Sequence, residues 1–472
     1  MSDKKYITEV YERFRKIGEA ILRVNGNNTH SGNLSVRDPE DDDRFYITAS
    51  GSQIGALISR DIVPVRFSGV SWGDGRASTE SNIHRKILTI PGVNAAIHCH
   101  HIVSALITFD STDRQMFNQF SCAAAQPIEE SIFQPVDIHG AAILGGVPVG
   151  TYKQPVGSAE MEERIPKYLS NSPITLVRGH GAFTRGTSPE ECLHFLSVLE
   201  SSATIALNLR RRGIDLNYIQ KKILETGPSS VFPAYRTPIG SSPPEGRKVD
   251  DMSTISDFTY WLSYIYNTQI GAYGTGSMSR KVTSEEMIFC PMSSVPENMD
   301  FPLCRISTRI SKEDPFELAL HKLIYNHTNY STCIMANNPS ISADGMTVLA
   351  EDFGIDTLLG TSSNIPYTQK EHPVIAPIDA EAIYLNPRLG LTDITLLNDR
   401  TPENPILNML RWHKGCCVVA GFGLIAVGDT TMEQAAHNVS SAERIGRFRT
   451  EVFINEKLLN GPTLKCFEPK IV

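Results

Sequence analysis

Apolar residues in the first two dozen positions recur every three or four places: Ile7, Val10, Tyr11, Phe14, Ile17, Ile21 and Leu22. That spacing puts them on one face of an amphipathic helix over residues 7–24. The period then shortens. LSVR, RFYIT and IVPVRF read as short strands, a helix over 81–88 leads into a strand in NAAIHCHH, and another strand runs through ITLVRGH to position 180. Ser188-Pro189-Glu190-Glu191 opens a further helix, with Ser188 as N-cap, Pro189 at the first helical position and two acids favouring the helix dipole. Helices and strands interleaved without long parallel crossovers predict an α/β fold with a mostly antiparallel central sheet flanked by helices.

Residues 226–250 break this pattern. They read TGPSSVFPAYRTPIGSSPPEGRKVD, rich in Pro, Gly and Ser, as expected of a linker. The stretches on either side echo each other. Glu80-x-x-x-His84 and AAIHCHH return as Glu317-x-x-x-His321 and TCIMANN, SGNLSVR returns as TGSMSRK, and LVRGHGAFTRGTSPEE returns as VVAGFGLIAVGDTTMEQ. Matching blocks in the same order predict a tandem repeat: one domain over 1–226, a linker over 227–250 and a second copy over 251–472.

Bulk properties narrow the function classes. The 472 residues are 41% hydrophobic and 20% charged with a formal net charge of -8, which carries no nucleic-acid footprint and no attraction to an anionic membrane. Arg210, Arg211 and Arg212 fit a charged helix end, and no apolar run approaches the ~20 residues that span a bilayer. Nine cysteines without a CxxC pair read as reduced thiols, and the opening MSDKKYITEVYERFRK lacks the apolar core of a signal peptide. The expectation is a cytoplasmic protein with a small-molecule substrate, no nucleic-acid partner and no membrane partner.

The chemistry concentrates in Ala96-Ile97-His98-Cys99-His100-His101. Residues two apart on a strand share a face, so His98 and His100 can grip one ion while Cys99 and His101 turn away. His180, between Gly179 and Gly181, is the candidate third ligand, its glycines permitting a tight turn and a close approach. The repeat strengthens this grouping, because Met335, Asn337 and Phe422 replace all three histidines together in the second copy. Glu80, in Ser78-Thr79-Glu80, is placed either as a proton-transfer group beside the ion or as part of a helix cap. Gly32-Asn33-Leu34-Ser35 and Thr48-Ala49-Ser50-Gly51-Ser52 offer backbone N–H and hydroxyl groups suited to an anion, or are plain turns. The acidic run 38–43 is expected at an exposed hairpin end.

Together these residues resemble the class II aldolase/adducin family, through Gly32-Asn33-Leu34-Ser35, Ser50-Gly51, Ser78-Thr79-Glu80, the His98 and His100 pair, and Gly179-His180-Gly181. The resemblance covers most of residues 5–212, with a degenerate copy over most of 251–457. It implies a three-layer domain present twice, and His98, His100 and His180 binding Zn2+ or a similar ion such as Mn2+ or Fe2+. It further implies Glu80 as the acid/base, and Asn33, Ser50, Gly51, Ser78 and Thr79 cradling a phosphate or carboxylate. The activity it implies is a metal-dependent lyase, by aldol cleavage or related enediolate chemistry. A non-catalytic adducin-like scaffold, an epimerase, a dehydratase and a decarboxylase are the alternatives. Members form fourfold rings, so a fused pair implies a homo-oligomer, a dimer with pseudo-fourfold symmetry. The tyrosine acid of the sugar-phosphate aldolases has no match between Ile102 and Gly150, where Glu129 and Glu130 are the nearest acids.

Overall fold

The computed structural model describes the chain except residues 1, 25, 27–30, 110–129, 228–245, 293, 297–302, 361–363 and 460–472. Most of the expected linker and Glu129 therefore lie outside the described residues. In chain order the first half runs α1 (Ser2–Arg23), β1 (Asn33–Arg37), β2 (Arg44–Thr48), β3 (Ile62–Arg66), α2 (Ser81–Leu88), β4 (Ala95–Cys99), α3 (Ile102–Leu106) and β5 (Ser131–Phe133). It continues with α4 (Ile138–Ile143), β6 (Val147–Gly150), α5 (Ala159–Asn171), β7 (Ile174–Val177), β8 (Gly181–Gly186), α6 (Pro189–Arg211) and α7 (Leu216–Thr226). The second half runs β9 (Arg247–Lys248), α8 (Met252–Asn267), β10 (Ser277–Lys281), β11 (Glu286–Cys290), β12 (Cys304–Ser307), α9 (Phe316–His327), β13 (Thr332–Ala336) and α10 (Pro339–Phe353). It ends with β14 (Val374–Ile375), α11 (Ala380–Leu385), β15 (Leu389–Thr392), α12 (Pro405–Trp412), β16 (Cys416–Val419), β17 (Gly423–Gly428) and α13 (Met432–Leu459).

Each half builds one sheet. The first has the order β3-β2-β1-β4-β8-β7-β6-β5, and the second, read from its β9 end, is β9-β12-β11-β10-β13-β17-β16-β15-β14. Apart from the extra edge strand β9, the two follow the same path. Neighbours are antiparallel except β6 with β7 and β15 with β16, again equivalent positions. The registers agree as well, since Asn33 lies opposite His98 and Ser277 lies opposite Met335. Even a buried polar pillar recurs, Ser35 Oγ with His84 Nδ1 at 2.6 Å and Ser279 Oγ with His321 Nδ1 at 2.6 Å.

The apolar faces explain the layers. Val10, Phe14, Ile17 and Ile21 bury one stripe of α1, as the three- and four-residue spacing requires. Phe45, Ile47 and Val63 pack with Ile83, Ile87 and Met161 on one face of the first sheet. The opposite face belongs to a second cluster that runs without a break into the carboxy-terminal half, from Leu196 and Leu199 on α6 to Ile341 and Met346 on α10. The halves thus share a core. A buried ion cluster reinforces the junction: Asp344, fully buried, meets Arg212 of the first half and Arg449 of the second, both at 2.5 Å.

Two expectations are corrected. Asp38 is not at an exposed hairpin end but fully buried, its carboxylate accepting from Tyr46 Oη at 3.0 Å and from the Glu40 amide at 2.8 Å. Arg44 pairs with it, so only the following acids face water. A second correction concerns α6, which is long and apolar enough to cross a membrane by length and composition. Its most apolar stretch is 78% buried inside the protein, where it serves as the core helix between the halves.

Asp344→Ala removes the shared anion and leaves Arg212 buried without its partner. The expected cost is about 3–5 kcal/mol, read as a lower urea midpoint. An unchanged midpoint would show that the cluster does not hold the halves together.

Candidate metal centre

The pairing of β4 with β8 assembles the centre. His98 lies on β4 opposite Phe183 of β8, and the two rings stack with centroids 3.9 Å apart and planes 10° from parallel. β4 ends at Cys99, so His100 follows one residue beyond the strand yet stays on the His98 side. β7 ends at Val177, and Gly179, at φ +67°, turns the chain so that His180 faces the same two rings. Gly181 then passes so close to β4 that an added Cβ would sit 2.2 Å from the Cys99 carbonyl oxygen. Both glycines flanking His180 are thereby explained, one by its turn and one by its close approach.

The three imidazoles converge: one ring nitrogen from each lies within 4.8 Å of the others, and ring centroids are 4.5–4.8 Å apart. His98 donates its Nδ1 hydrogen to the Ala182 carbonyl at 2.9 Å, which leaves its Nε2 lone pair turned to His100 Nε2 at 2.8 Å. The Nδ1 of His180 is buried without a hydrogen-bond partner. Burial pushes the pKa of His98 well below the ordinary 6.5, takes His100 down to about 3 and lowers His180 as well. Three convergent neutral imidazoles are the kind of donor set a divalent metal takes, so the residues present fit such an ion. His98 is fully buried, while His100 and His180 are partly exposed and mark the side that solvent reaches.

Glu80 completes the cluster. Its Oε2 accepts from Asn33 Nδ2 at 2.8 Å and lies 3.6 Å from His98 Nε2, and its buried Oε1 has no hydrogen-bond partner. Although Glu80 is the N-cap residue of α2, its side chain makes no cap hydrogen bond. Asn33 thus spends its amide hydrogen on Glu80. The other candidate anion-binding residues lie together on a neighbouring ledge. The Ser50 amide donates to the Arg76 carbonyl at 2.8 Å and the Ser78 amide to the Thr48 carbonyl at 3.2 Å, which sets the Ser50-Gly51 turn beside Ser78 and Thr79. Gly51 has φ +76° and open space around it.

The sequence did not point to Phe183 as the ring under His98, nor to the segment around Pro155 and Gly157 as a border of the site. A Cβ on Gly157 would lie 3.5 Å from the Thr79 carbonyl oxygen. Only the alternation in GAFTRG, which puts Phe183 on the His98 face, could have signalled the first. Glu130 is bonded elsewhere, accepting from Tyr168 Oη at 2.8 Å and Arg164 at 3.3 Å.

At the equivalent place in the second half, Met335 and Phe422 are buried apolar residues. Burial pushes the Glu317 carboxyl up to about 8, so it is uncharged at neutral pH.

The chain is similar in sequence to known proteins. The family described as "Class II Aldolase and Adducin N-terminal domain" matches residues 12–207. The methylthioribulose-1-phosphate dehydratase of Leptospira biflexa is 37% identical over 179 residues, 35% of this chain and 84% of that enzyme. The chain belongs to the class II aldolase and adducin family. A dehydratase of the same name from Microcystis aeruginosa is 27% identical over 175 residues, 36% of this chain and 81% of the enzyme. The L-fuculose phosphate aldolase of Methanococcus maripaludis is 27% identical over 175 residues, 37% of this chain and 83% of the enzyme. Dehydratases and aldolases are both lyases, and this chain is a lyase of their family.

Two predictions follow from the geometry. Gly181→Ala should displace β8 from β4 and lower both stability and metal retention, whereas Gly51→Ala, strained but unobstructed, should leave metal retention intact. Equal metal retention in the two variants would contradict the close-approach argument. The second prediction concerns Glu317. Its folded pKa is raised above the 4.5 of an ordinary Glu, so its contribution to stability is complete below about pH 4.5 and is lost as pH rises to about 8. Glu317→Gln escapes that loss. Between pH 5 and pH 9 its urea midpoint should therefore gain on the wild type, and a pH-independent difference would refute the buried neutral acid.

Proposed function

We propose that the first half, residues 1–226, is a metal-dependent lyase domain acting on a small phosphorylated or carboxylated hydroxy-carbonyl substrate. The observation that carries this reading is the convergence of three neutral imidazoles beside a buried carboxylate whose Oε1 is unengaged. His98, His100 and His180 would hold the ion, Zn2+ or else Mn2+ or Fe2+, and a bound ion supplies Lewis acidity towards a carbonyl and its adjacent hydroxyl. Glu80 removes the proton from the carbon next to that carbonyl, with Asn33 fixing one carboxylate oxygen so that the other faces substrate. Phe183 holds the His98 ring in place by stacking. Ser50, Gly51, Ser78 and Thr79 present hydroxyl and backbone N–H groups to the anionic end of the substrate. Expulsion of the hydroxyl on the next carbon from the resulting carbanion, leaving as water with the proton that Glu80 took up, is the reaction favoured by the two dehydratase relatives, and aldol cleavage is the second reading, favoured by the fuculose phosphate aldolase.

The second half, residues 251–472, is read as a degenerate copy of the first, joined through 227–250. What supports this is the shared strand order and the joint replacement of the three histidines by Met335, Asn337 and Phe422. Its role is structural, and the working unit is a dimer of chains with pseudo-fourfold symmetry in the cytoplasm.

Metal analysis tests the core of this reading. The purified chain should carry about one divalent ion, and alanine at His98, His100 or His180 should each strip it. Glu80→Gln should keep the ion and the fold yet lose roughly a hundredfold or more in turnover against a panel of phosphorylated ketoses and hydroxy acids. Near-normal turnover in that variant would remove Glu80 from the chemistry.

A further inference from the structure

The second half holds a pair of imidazoles that no part of the lyase reading uses. His372 lies on the chain leading into the edge strand β14, and His413 is the C-cap residue of α12. Their Nε2 atoms are 2.9 Å apart, with ring centroids at 5.1 Å. His413 is buried, and its ring is wedged against β15, where a Cβ on Gly390 would lie 2.8 Å from its Cδ2. His372 is half-buried and packs against Trp412, ring centroids 5.1 Å apart.

Each ring is held at its other nitrogen by a backbone carbonyl. His372 Nδ1 donates to the Thr368 carbonyl at 2.8 Å and His413 Nδ1 to the Arg388 carbonyl at 3.1 Å. A carbonyl oxygen only accepts, so each Nδ1 carries the hydrogen and each neutral ring offers an Nε2 lone pair. Burial, then the neighbouring imidazole and Arg388, hold the His413 pKa below the ordinary 6.5, which keeps that ring neutral. An Nδ1 hydrogen anchored on a carbonyl is the arrangement that orients metal-ligating histidines. Two ligands about 2.0–2.1 Å from one ion stand about 2.8–3.4 Å apart in square or tetrahedral geometry, so the observed spacing admits an ion without backbone movement.

The first half ties the same two elements together by other means. Val149 lies opposite Leu176 as Leu391 lies opposite Val418, and Ile132 lies opposite Pro148 as Val374 lies opposite Gly390. Two residues before each edge position stand Glu130 in the first half and His372 in the second. Glu130 accepts from Tyr168 Oη and Arg164 of α5, a joint complete in itself. At the same joint the second half has two nitrogen donors facing one another.

We propose that His372 and His413 form a second, exchangeable metal site, taking a late first-row divalent cation, Cu2+ above all, that fastens the edge strand β14 to α12. Imidazole suits such ions, and copper binds nitrogen donors most tightly among them. Among the described residues no third His, Cys, Asp or Glu joins the pair, so solvent completes the shell from the side on which His372 is open. Two protein ligands hold an ion less firmly than three. The site therefore fills from added metal, and the content of about one ion expected of the purified chain stands.

Trp412 supplies the readout, because Cu2+ quenches the fluorescence of an indole this close to its ligand. Cu2+ is titrated into the full-length chain after its first-half centre has been filled with Zn2+. The Trp412 share of the emission should fall along a saturable curve. His372→Gln and His413→Gln should each shift its midpoint to at least tenfold higher copper, with the half-buried His372 the safer variant for folding. Trp412→Phe should lose the quench yet still show nitrogen-ligated Cu2+ by electron paramagnetic resonance. Exchange of the 374–376 amides should slow when copper is bound to the wild type and stay unchanged in His372→Gln. No saturable quench in the wild type, an unshifted midpoint in His372→Gln, or a quench that persists in Trp412→Phe would each overturn the site. Exchange at 374–376 that ignores copper would overturn the fastening of β14. None of these readings depends on turnover.

Discussion

The site depends on the pairing of β4 with β8. One strand brings His98 and, just past its end, His100. The other begins immediately after His180 and carries Phe183, whose ring is stacked on His98. Gly181 is the contact point of the two, and any side chain there would collide with the Cys99 carbonyl. Three imidazoles are thus brought within ligand distance by backbone hydrogen bonds, not by affinity for one another. Burial keeps them neutral, the form in which an imidazole nitrogen can hold a cation. Glu80, tied to Asn33, stands beside them.

The two halves share a frame and differ where the imidazoles converge. The sheets follow the same path and the serine–histidine pillars persist, so Ser279 and His321 evidently serve packing. The converging residues differ: Met335, Asn337 and Phe422 stand in the second half. Met335 and Phe422 are buried apolar residues there, and the acid near them, Glu317, is a buried neutral group. The second half receives α4 and α6 of the first on the face that carries Phe422 and Asn337. The two halves are joined by a shared core and the Asp344 cluster.

Much of this was legible in the sequence, and what was not has physical causes. Alternation along AAIHCHH placed His98 and His100 on one face because strand side chains have a period of two, and the glycines around His180 announced a turn and a close approach. The strands and the first amphipathic helix appeared near their observed limits, since apolar spacing reports directly on one-sided burial. Asp38 misled because composition alone suggested a solvated acidic run, while a tertiary partner, Tyr46, draws its first member inward. Glu80 looked equally like a cap, and only the fold shows its carboxylate directed to Asn33 and His98. Phe183 and the seat of α4 on Phe422 depend on strand register and on the junction between halves, neither of which local pattern encodes.

X-ray absorption of the zinc-loaded chain tests the central claim most directly, because it reads the ligand atoms themselves. The account predicts a first shell of nitrogen and oxygen only, near 2.0–2.1 Å, with the scattering of three imidazoles that falls when His180 is replaced by alanine. A sulfur ligand near 2.3 Å, which would bring a cysteine such as Cys99 to the ion, or a spectrum unaltered by loss of His180, would contradict it.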